Sequence, residues 1–150
     1  MKQKYPLTLE EFTSIFAKVP RLNIELLFQN ESKEILLTKR AIVPCIGEWH
    51  IPGGTVWYKE SIEKAARRIA EKEVGLQIKS YEIIGFIEYP KLETTFYGDP
   101  RGLVLLIKDF SGGVQIDDEA SDYGWFSRVP SPILVHQDDF LVEHGLLVRG

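Results

Sequence analysis

The sequence predicts one domain of the α/β (α+β) class, in which helices pack on a mixed β-sheet. Three observations support this prediction. The chain has 150 residues, of which 44% are apolar and 27% charged, as is usual for one globular domain with a core of its own. Its hydrophobic patterns follow the order helix, strands, helix, strands, helix. We find no internal repeat, low-complexity segment or linker that would divide residues 1–150 into two domains.

The first helix is predicted over residues 8–19. Thr8 and Glu11 have the spacing of a capping box, in which each satisfies a backbone amide of the other. Pro20 ends the pattern. The apolar residues at helical spacing are Leu9, Phe12, Ile15, Phe16 and Val19. This apolar face is expected to pack either on the chain's own sheet or on a second copy.

The next segments are predicted to be strands. Two strands are predicted at residues 22–28 and 34–39, and the polar stretch 29–33 is predicted to join them as a hairpin. Residues 50–54 are predicted to form a short strand that enters a tight glycine turn.

The second half begins with a helix over residues 60–74, for which Gly75 is the C-terminal stop. An acidic loop, residues 117–122, precedes the last predicted strand. The remaining elements are three strands and a closing helix, at residues 78–89, 102–110, 123–126 and 138–148.

Charge and cysteine content limit the classes of function. The net charge of −4 disfavours a nucleic-acid coat, although a local basic pocket can still bind a phosphorylated small molecule. Cys45 is the one cysteine, so no internal disulfide can form. We find neither a signal peptide nor an apolar stretch of about 18 residues. We therefore expect a cytoplasmic protein that binds neither nucleic acid nor a membrane.

Glu73 is out of place on the central helix. On a helical wheel centred on Ile62 it falls at about 20°, inside the apolar stripe, since successive residues are about 100° apart. The helix dipole also disfavours negative charge in this last turn. Two interpretations remain open. Either the turn frays and Glu73 reaches water or an arginine, or Glu73 binds a metal or takes part in catalysis.

The glycine pair before this helix favours the second interpretation. Gly53 and Gly54 follow Pro52, and a backbone without Cβ atoms can approach a ligand closely and present its carbonyl groups. Mg²⁺ prefers oxygen ligands from carboxylates and carbonyls. A glycine turn followed by a misplaced glutamate therefore indicates a divalent metal site.

Residues 54–76 resemble the Nudix box, the signature of the Nudix hydrolase family. The box reads G-x5-E-x7-R-E-U-x-E-E-x-G-U, where U is a bulky aliphatic residue. Six of its nine specified positions are matched, by Gly54, Glu60, Arg68, Glu73, Gly75 and Leu76. The resemblance implies a Nudix-type α/β/α sandwich with a mixed sheet. It also implies structural roles for Gly54, Glu60, Arg68 and Gly75, with Glu60 and Arg68 paired as ions.

Two further glutamates of the box are replaced here by Ile69 and Lys72. The GDP-mannose mannosyl hydrolases are similar in this respect, because their box also retains one metal-binding glutamate. Segments outside the box, among them residues 36–40, 122–125 and 135–136, resemble that subfamily too. Its members cleave the C–O bond at the anomeric carbon of a nucleotide sugar and release GDP.

The resemblance implies a metal site for Mg²⁺, with Mn²⁺ as the alternative. Its ligands would be the Gly53 carbonyl group, Glu73 and Glu119. Arg40 matches an arginine that contacts the departing diphosphate. Arg40, Glu73 and Glu119 are therefore the catalytic candidates.

Two more residues join Arg40 as candidates for substrate binding. Thr55 stands where the subfamily has a second diphosphate-binding arginine, and Tyr89 could stack on a base or a sugar. Other aromatic candidates are Trp57, Tyr58, Phe96 and Tyr97. The subfamily also forms dimers through its N-terminal region, which implies a homodimer here.

The general base is the weakest part of the match, since Ala120 stands where the subfamily has a histidine and Gly102 where it has a tyrosine. Substitute bases would be Glu119, Asp122 or His136; His144 and His50 are weaker candidates.

Three functions remain open. The first is a Mg²⁺-dependent nucleotide-sugar hydrolase. The second is a diphosphate hydrolase of nucleoside diphosphate derivatives, with replacement carboxylates from Glu93, Asp117 or Asp118. The third is a nucleotide-binding module with impaired catalysis.

Overall fold

The computed structural model describes residues 4–92 and 98–150, and within these ranges the chain forms three helices and seven strands. In chain order they are α1 (Leu9–Phe16), β1 (Pro20–Phe28), β2 (Ile35–Arg40), β3 (Trp49–His50), β4 (Gly53–Thr55), α2 (Ile62–Val74), β5 (Gln77–Glu88), β6 (Asp99–Ser111), β7 (Ala120–Phe126) and α3 (Gln137–Glu143). Helices and strands alternate as the hydrophobic patterns predict, except that the one short strand predicted over residues 50–54 is replaced by two, β3 and β4. The α/β (α+β) class is confirmed.

The strands of the described ranges divide into two sheets. One is four-stranded, in the order β4-β1-β6-β5, and is mixed because β1 and β6 run parallel while the other neighbours are antiparallel. The other is three-stranded, in the order β3-β2-β7, and is antiparallel. The predicted mixed sheet is therefore the first of two sheets.

The predicted hairpin between β1 and β2 is wrong. A single antiparallel bridge joins Gln29 to Ile35, and beyond it the two strands enter different sheets. The residues of β1 from Ile24 to Phe28 are all buried, so this strand is covered on both faces and pairs with β6 in parallel. A short polar connection can join two strands of one hairpin or two strands of different sheets, and the local sequence does not distinguish these arrangements.

The predicted glycine turn is also wrong, because Gly53 and Gly54 belong to strand β4. A Cβ atom on Gly53 would lie 2.5 Å from the carbonyl oxygen of Ile24, and one on Gly54 would lie 3.1 Å from the side chain of Ile69. The glycines therefore allow β4 to approach β1 and α2, rather than forming a reverse turn.

Helix boundaries follow from their caps. The capping box of Thr8 and Glu11 is present, but α1 ends at Phe16, three residues before the predicted end. Helix α2 ends at Gly75, which has the left-handed conformation predicted for its C-cap. Helix α3 is shorter than predicted, because Gly145, with φ of 67°, turns the chain away.

The core has two parts, one on each face of β1. Helix α2 packs on the first through its buried residues Ala65, Ala66, Ile69, Ala70 and Val74. The second includes Leu27 of β1, Leu37 of β2, and Phe140 and Leu141 of α3. No helix within the described residues is long and apolar enough to cross a membrane.

Candidate active site

A cavity of about 90 Å³ opens beside β1 and β4. It is lined by the buried side chains of Arg21, Glu25, Arg40, Tyr89 and Gln137, by the half-buried side chain of His50, and by the backbone of Gly53 and Gly54. Pockets that hold a whole small molecule usually measure at least about 300 Å³. This cavity can therefore accept one end of a nucleotide-sized molecule.

A buried hydrogen-bond network fills one side of the cavity. The hydroxyl group of Tyr89 donates to Oε1 of Glu25, and Nε2 of Gln137 donates to the Tyr89 oxygen at 3.0 Å. Gln137 in turn accepts the amide of Ile51 at 2.7 Å, which ties α3 to the strand region. The second carboxylate oxygen of Glu25, Oε2, is buried and has no hydrogen-bond partner among the described residues.

The charge state of Glu25 reflects this environment. Burial raises the pKa of its carboxyl group to about 7, although the hydrogen bonds from Tyr89 and Gln137 act in the opposite direction. A buried acid that titrates near neutral pH, with one carboxylate oxygen that has no partner among the described residues, is typical of a functional site. Glu25 lies in an apolar strand, and a single charged residue in that pattern does not reveal its burial, so sequence analysis did not identify it.

Two buried arginines line the same cavity. Arg40, the predicted diphosphate ligand, is 8% exposed and donates to the carbonyl group of Pro44 in the loop after β2. Arg21 is 4% exposed and donates to the Thr55 hydroxyl group at 2.9 Å and to Asn23 at 3.1 Å. A guanidinium group from β1 thus reaches Thr55, the residue that occupies the place of a second arginine on β4.

The histidines differ in position and in their partners. His50 is half-buried, contacts the Thr38 hydroxyl group at 3.1 Å and lines the cavity; desolvation, and secondarily Arg40, lowers its pKa to about 3. His136 packs against Tyr89, with ring centroids 6.0 Å apart, and accepts the amide of Lys91 through Nε2 at 3.1 Å. His144 stacks on Phe140, away from these groups, with ring centroids 3.8 Å apart.

Glu60 and Arg68 join the loop after β4 to helix α2. Arg68 donates to both carboxylate oxygens of Glu60, at 2.8 and 2.9 Å, and to the carbonyl oxygen of Thr55 at 2.8 Å. Glu60 also accepts the amide of Trp57, whose ring lies under the Arg68 guanidinium group at 3.8 Å. These contacts hold the loop against α2 and fix the end of β4.

An acidic cluster lies between the end of α2 and the loop before β7. Its members are Glu73, Asp117 and Glu119, each of which offers a carboxylate oxygen within 4.8 Å of the other two. Burial raises the pKa of Glu73 to about 7, and the neighbouring carboxylates of Glu119 and Asp117 act in the same direction against the ammonium group of Lys72. Glu73 therefore points into a shielded acidic site, as its position on the helical wheel indicates.

Lys72 contacts all three carboxylates of the acidic cluster. Its Nζ lies 2.9 Å from Glu119, 3.2 Å from Glu73 and 3.5 Å from Asp117. Carboxylate oxygens in this arrangement have the chemistry that Mg²⁺ requires, so the donor set fits a divalent ion, although an ammonium group lies among the same oxygens.

The predicted site residues thus form two groups. The acidic cluster brings Glu73 and Glu119 together, and the cavity brings together Arg40, Gly53 and Tyr89. The two groups are connected at the end of β2, where the amide of Ala41 donates to the Glu119 carbonyl oxygen at 2.9 Å. Glu93, Phe96 and Tyr97 lie outside the described residues. Tyr58 is 83% exposed and lies on the surface.

Sequence analysis missed Arg21 and Gln137 in addition to Glu25. Arg21 directly follows Pro20 at the start of a strand, where a charged residue is usually solvated. Gln137 lies next to His136 in a segment that gives no sign of burial. The contacts of both residues depend on partners far away in the sequence, at Thr55 and Tyr89.

Comparison with known proteins places this geometry in a family. The model of the NUDIX domain matches residues 19–129. A similar curated protein is the nucleoside triphosphatase NudI of Escherichia coli K12, which is 34% identical over 122 residues, with 75% of this chain and 83% of NudI covered. Another is the low-salt glycan biosynthesis protein Agl8 of Haloferax volcanii, which is 34% identical over 80 residues. That match spans 53% of this chain and only 51% of Agl8.

Solved structures agree with the fold. The MutT NUDIX hydrolase of Burkholderia pseudomallei superposes with a TM-score of 0.74 at 26% identity, over 84% of this chain and 98% of that one. The MutT protein of Methanosarcina mazei superposes with a TM-score of 0.73 at 23% identity, over 85% and 94% of the two chains.

Proposed function

The chain belongs to the NUDIX hydrolase family, and we propose that it hydrolyses a nucleotide sugar with the help of Mg²⁺. In the proposed reaction the oxygen of water bonds to the anomeric carbon and its surplus proton is released to solvent. The bond from that carbon to the diphosphate oxygen breaks, and the leaving nucleoside diphosphate keeps the electron pair. The observation that carries the proposal is the convergence of Glu73 and Glu119 from separate elements, in a chain whose Glu119 backbone is hydrogen-bonded to Ala41, the residue after the cavity-lining Arg40.

The acidic cluster would hold the metal through Glu73 and Glu119, with Asp117 as a further carboxylate and the Gly53 carbonyl group as the remaining candidate. A bound Mg²⁺ would neutralise negative charge on the departing diphosphate. Mn²⁺, which accepts the same oxygen ligands, is the expected substitute.

Buried arginines would hold the diphosphate itself. Arg40 is the predicted residue, and Arg21 supplies a second guanidinium group in the cavity, where it is kept in place by Thr55. Guanidinium groups bind phosphate oxygens with two parallel hydrogen bonds, so both orient the leaving group as well as stabilise it. Thr55 would thus act on the substrate through Arg21.

Glu25 supports a sugar as the part of the substrate that enters the cavity. Its Oε2 has no hydrogen-bond partner among the described residues, while Oε1 is occupied by Tyr89. Buried polar atoms are normally satisfied, and a ligand hydroxyl group would satisfy this one. Tyr89 would therefore position Glu25 for the sugar.

A homodimer is proposed from helix α1. None of its residues is buried, and Leu9 and Ile15 are 68% and 41% exposed although they belong to its apolar face. Contact with a second copy would remove these side chains from water, as expected for an interface.

A second candidate is a hydrolase that cleaves the diphosphate bond of a nucleoside triphosphate or nucleoside diphosphate derivative. It is favoured by the similarity to the nucleoside triphosphatase NudI, of which this chain covers 83%. Asp117 in the acidic cluster would provide the additional carboxylate that this reaction needs.

Product analysis in ¹⁸O-labelled water separates the candidates. With GDP-mannose and Mg²⁺, the proposed function gives GDP and mannose, with the label in mannose. GMP and mannose 1-phosphate, with the label in a phosphate group, would instead establish the diphosphate hydrolase. Release of pyrophosphate from nucleoside triphosphates would also support the diphosphate hydrolase. Binding of GDP-mannose, with turnover neither of it nor of nucleoside triphosphates, would contradict both and leave a nucleotide-binding module.

A further inference from the structure

The ammonium group of Lys72 lies among the three carboxylates of the acidic cluster. Its ammonium group contacts Glu73 on α2 and both Asp117 and Glu119 in the loop before β7, at 2.9–3.5 Å. Desolvation lowers the pKa of Lys72, but the carboxylates outweigh it and hold the pKa above its usual value, so the group remains charged. The ammonium group of Lys72 therefore contacts the same three carboxylates that would bind a metal ion.

A divalent ion and this ammonium group compete for the same three carboxylates. Both need the carboxylate lone pairs at contact distance, and two cations a few ångströms apart repel each other with little screening by salt. The lysine side chain is 47% exposed and has a flexible stem, so it can leave the cluster without disturbing the core. Displacement of Lys72 therefore accompanies metal binding.

We infer that Lys72 is a tethered competitor of the divalent metal, whose ammonium group holds the acidic cluster together without metal and has to leave before an ion binds. The inference rests on the proposed function in one respect, namely that the acidic cluster is the metal site. Its consequence is a metal affinity weaker than these carboxylates would otherwise provide. Occupancy of the site then depends on the metal concentration around the protein.

The test measures metal binding without substrate. The full chain is titrated with Mn²⁺ alone, and free Mn²⁺ is followed by electron paramagnetic resonance. In Lys72→Met the side chain keeps a similar length and loses its charge. The matched control is Lys64→Met, because Lys64 is an exposed lysine on the same helix and its loss changes the net charge equally.

Lys72→Met is expected to bind Mn²⁺ at least about tenfold more tightly than the parent chain, while Lys64→Met changes the affinity less than about twofold. Without metal, Lys72→Met is expected to have the lower Tm, and Mn²⁺ is expected to raise its Tm by more than that of the parent chain. An unchanged or weaker affinity of Lys72→Met would overturn the inference. Equal gains for both variants would also overturn it, because the effect would then be one of net charge.

The same titration separates this inference from the proposed function. Equal Mn²⁺ binding by the parent chain and Lys72→Met contradicts only the role of Lys72. Absence of Mn²⁺ binding in both contradicts the metal site and the role of Lys72 together. Tighter binding by Lys72→Met with no hydrolysis of GDP-mannose supports the role of Lys72 and contradicts the proposed function alone.

Discussion

The carboxylate of Glu25 lies in the space that a side chain at Gly102 would fill. A Cβ atom built on Gly102 would be 2.5 Å from Cδ of Glu25, which is much closer than two carbon atoms can approach. Glu25 cannot easily move aside, because Tyr89 and Gln137 hold it by hydrogen bonds. The glycine on β6 is therefore needed to accommodate the buried acid on β1.

Gly102→Ala is accordingly expected to lower the free energy of unfolding by about 2 kcal/mol, the usual cost of forcing an extra methyl group into a packed site. Gly113→Ala is the control, because nothing lies within 4 Å of a Cβ atom there. Urea unfolding measures both. In the background of Glu25→Ala the cost of Gly102→Ala should largely disappear; the same cost in both backgrounds would show that Glu25 is not its cause.

Glu25 should also make stability depend on pH. Burial raises its folded-state pKa to about 7, above the ordinary value of 4.5, so the unfolded chain loses this proton first as pH rises. Stability is therefore full below about pH 4.5 and is lost as pH rises through 7, by up to about 3 kcal/mol. Glu25→Gln does not titrate. The unfolding free energy of the parent chain minus that of the variant should therefore fall as pH rises from 4.5 through 7. A constant difference from pH 4.5 to 8 would contradict the prediction.

A structural feature can be predicted from the sequence when the residues that determine it are close together along the chain. The caps at Thr8 and Gly75 were predictable, because each is decided within one helical turn. Glu73 was predictable as well, since its position on the wheel depends on α2 alone. The partners of β1 were not, because the pairing with β6 joins residues about eighty positions apart in the sequence.

Separation along the chain also explains which contacts of the candidate site could be predicted. The resemblance to the box implied an ion pair between Glu60 and Arg68, and the two residues form this pair. The network of Glu25, Tyr89 and Gln137 joins β1, the end of β5 and α3, and none of these residues carries a local sign of its partners. Gly53 and Gly54 do allow a close approach, but to β1 and α2 instead of in a turn.

His50 should make the free energy of unfolding depend on pH in the opposite direction to Glu25. Burial lowers its folded-state pKa to about 3 from the ordinary 6.5, with Arg40 acting in the same direction, so the unfolded chain takes up a proton first as pH falls. Its contribution is full above about pH 6.5 and is lost on acidification, on the order of a few kcal/mol by pH 4. His50→Gln keeps a polar partner for Thr38 without this titration. It should lose less stability than the parent chain between pH 6.5 and 4, and equal losses would be the contrary result.

Glu60→Gln should weaken the link between the loop after β4 and α2. Arg68 would lose the carboxylate that accepts two of its hydrogen bonds in a site where the Glu60 side chain is only 9% exposed. We expect a loss of about 2 kcal/mol in the free energy of unfolding, from chemical denaturation at pH 7. Glu63→Gln is the control, since Glu63 makes an exposed pair with Arg67. Equal losses in both variants would mean that the buried pair has no special role.

Glu73→Gln should abolish most of the metal affinity and leave the fold intact. Burial raises the pKa of the shielded Glu73 carboxyl group to about 7, so the group is about half protonated at pH 7 and an uncharged amide of the same shape should cost little stability. A divalent ion, however, requires the carboxylate as a ligand, and loss of one such ligand should weaken Mn²⁺ binding at least about tenfold. Glu71→Gln is the control, because Glu71 is exposed on the same helix. Mn²⁺ titration, with Tm measured in parallel, gives both readouts, and an unchanged affinity in Glu73→Gln would exclude Glu73 as a metal ligand.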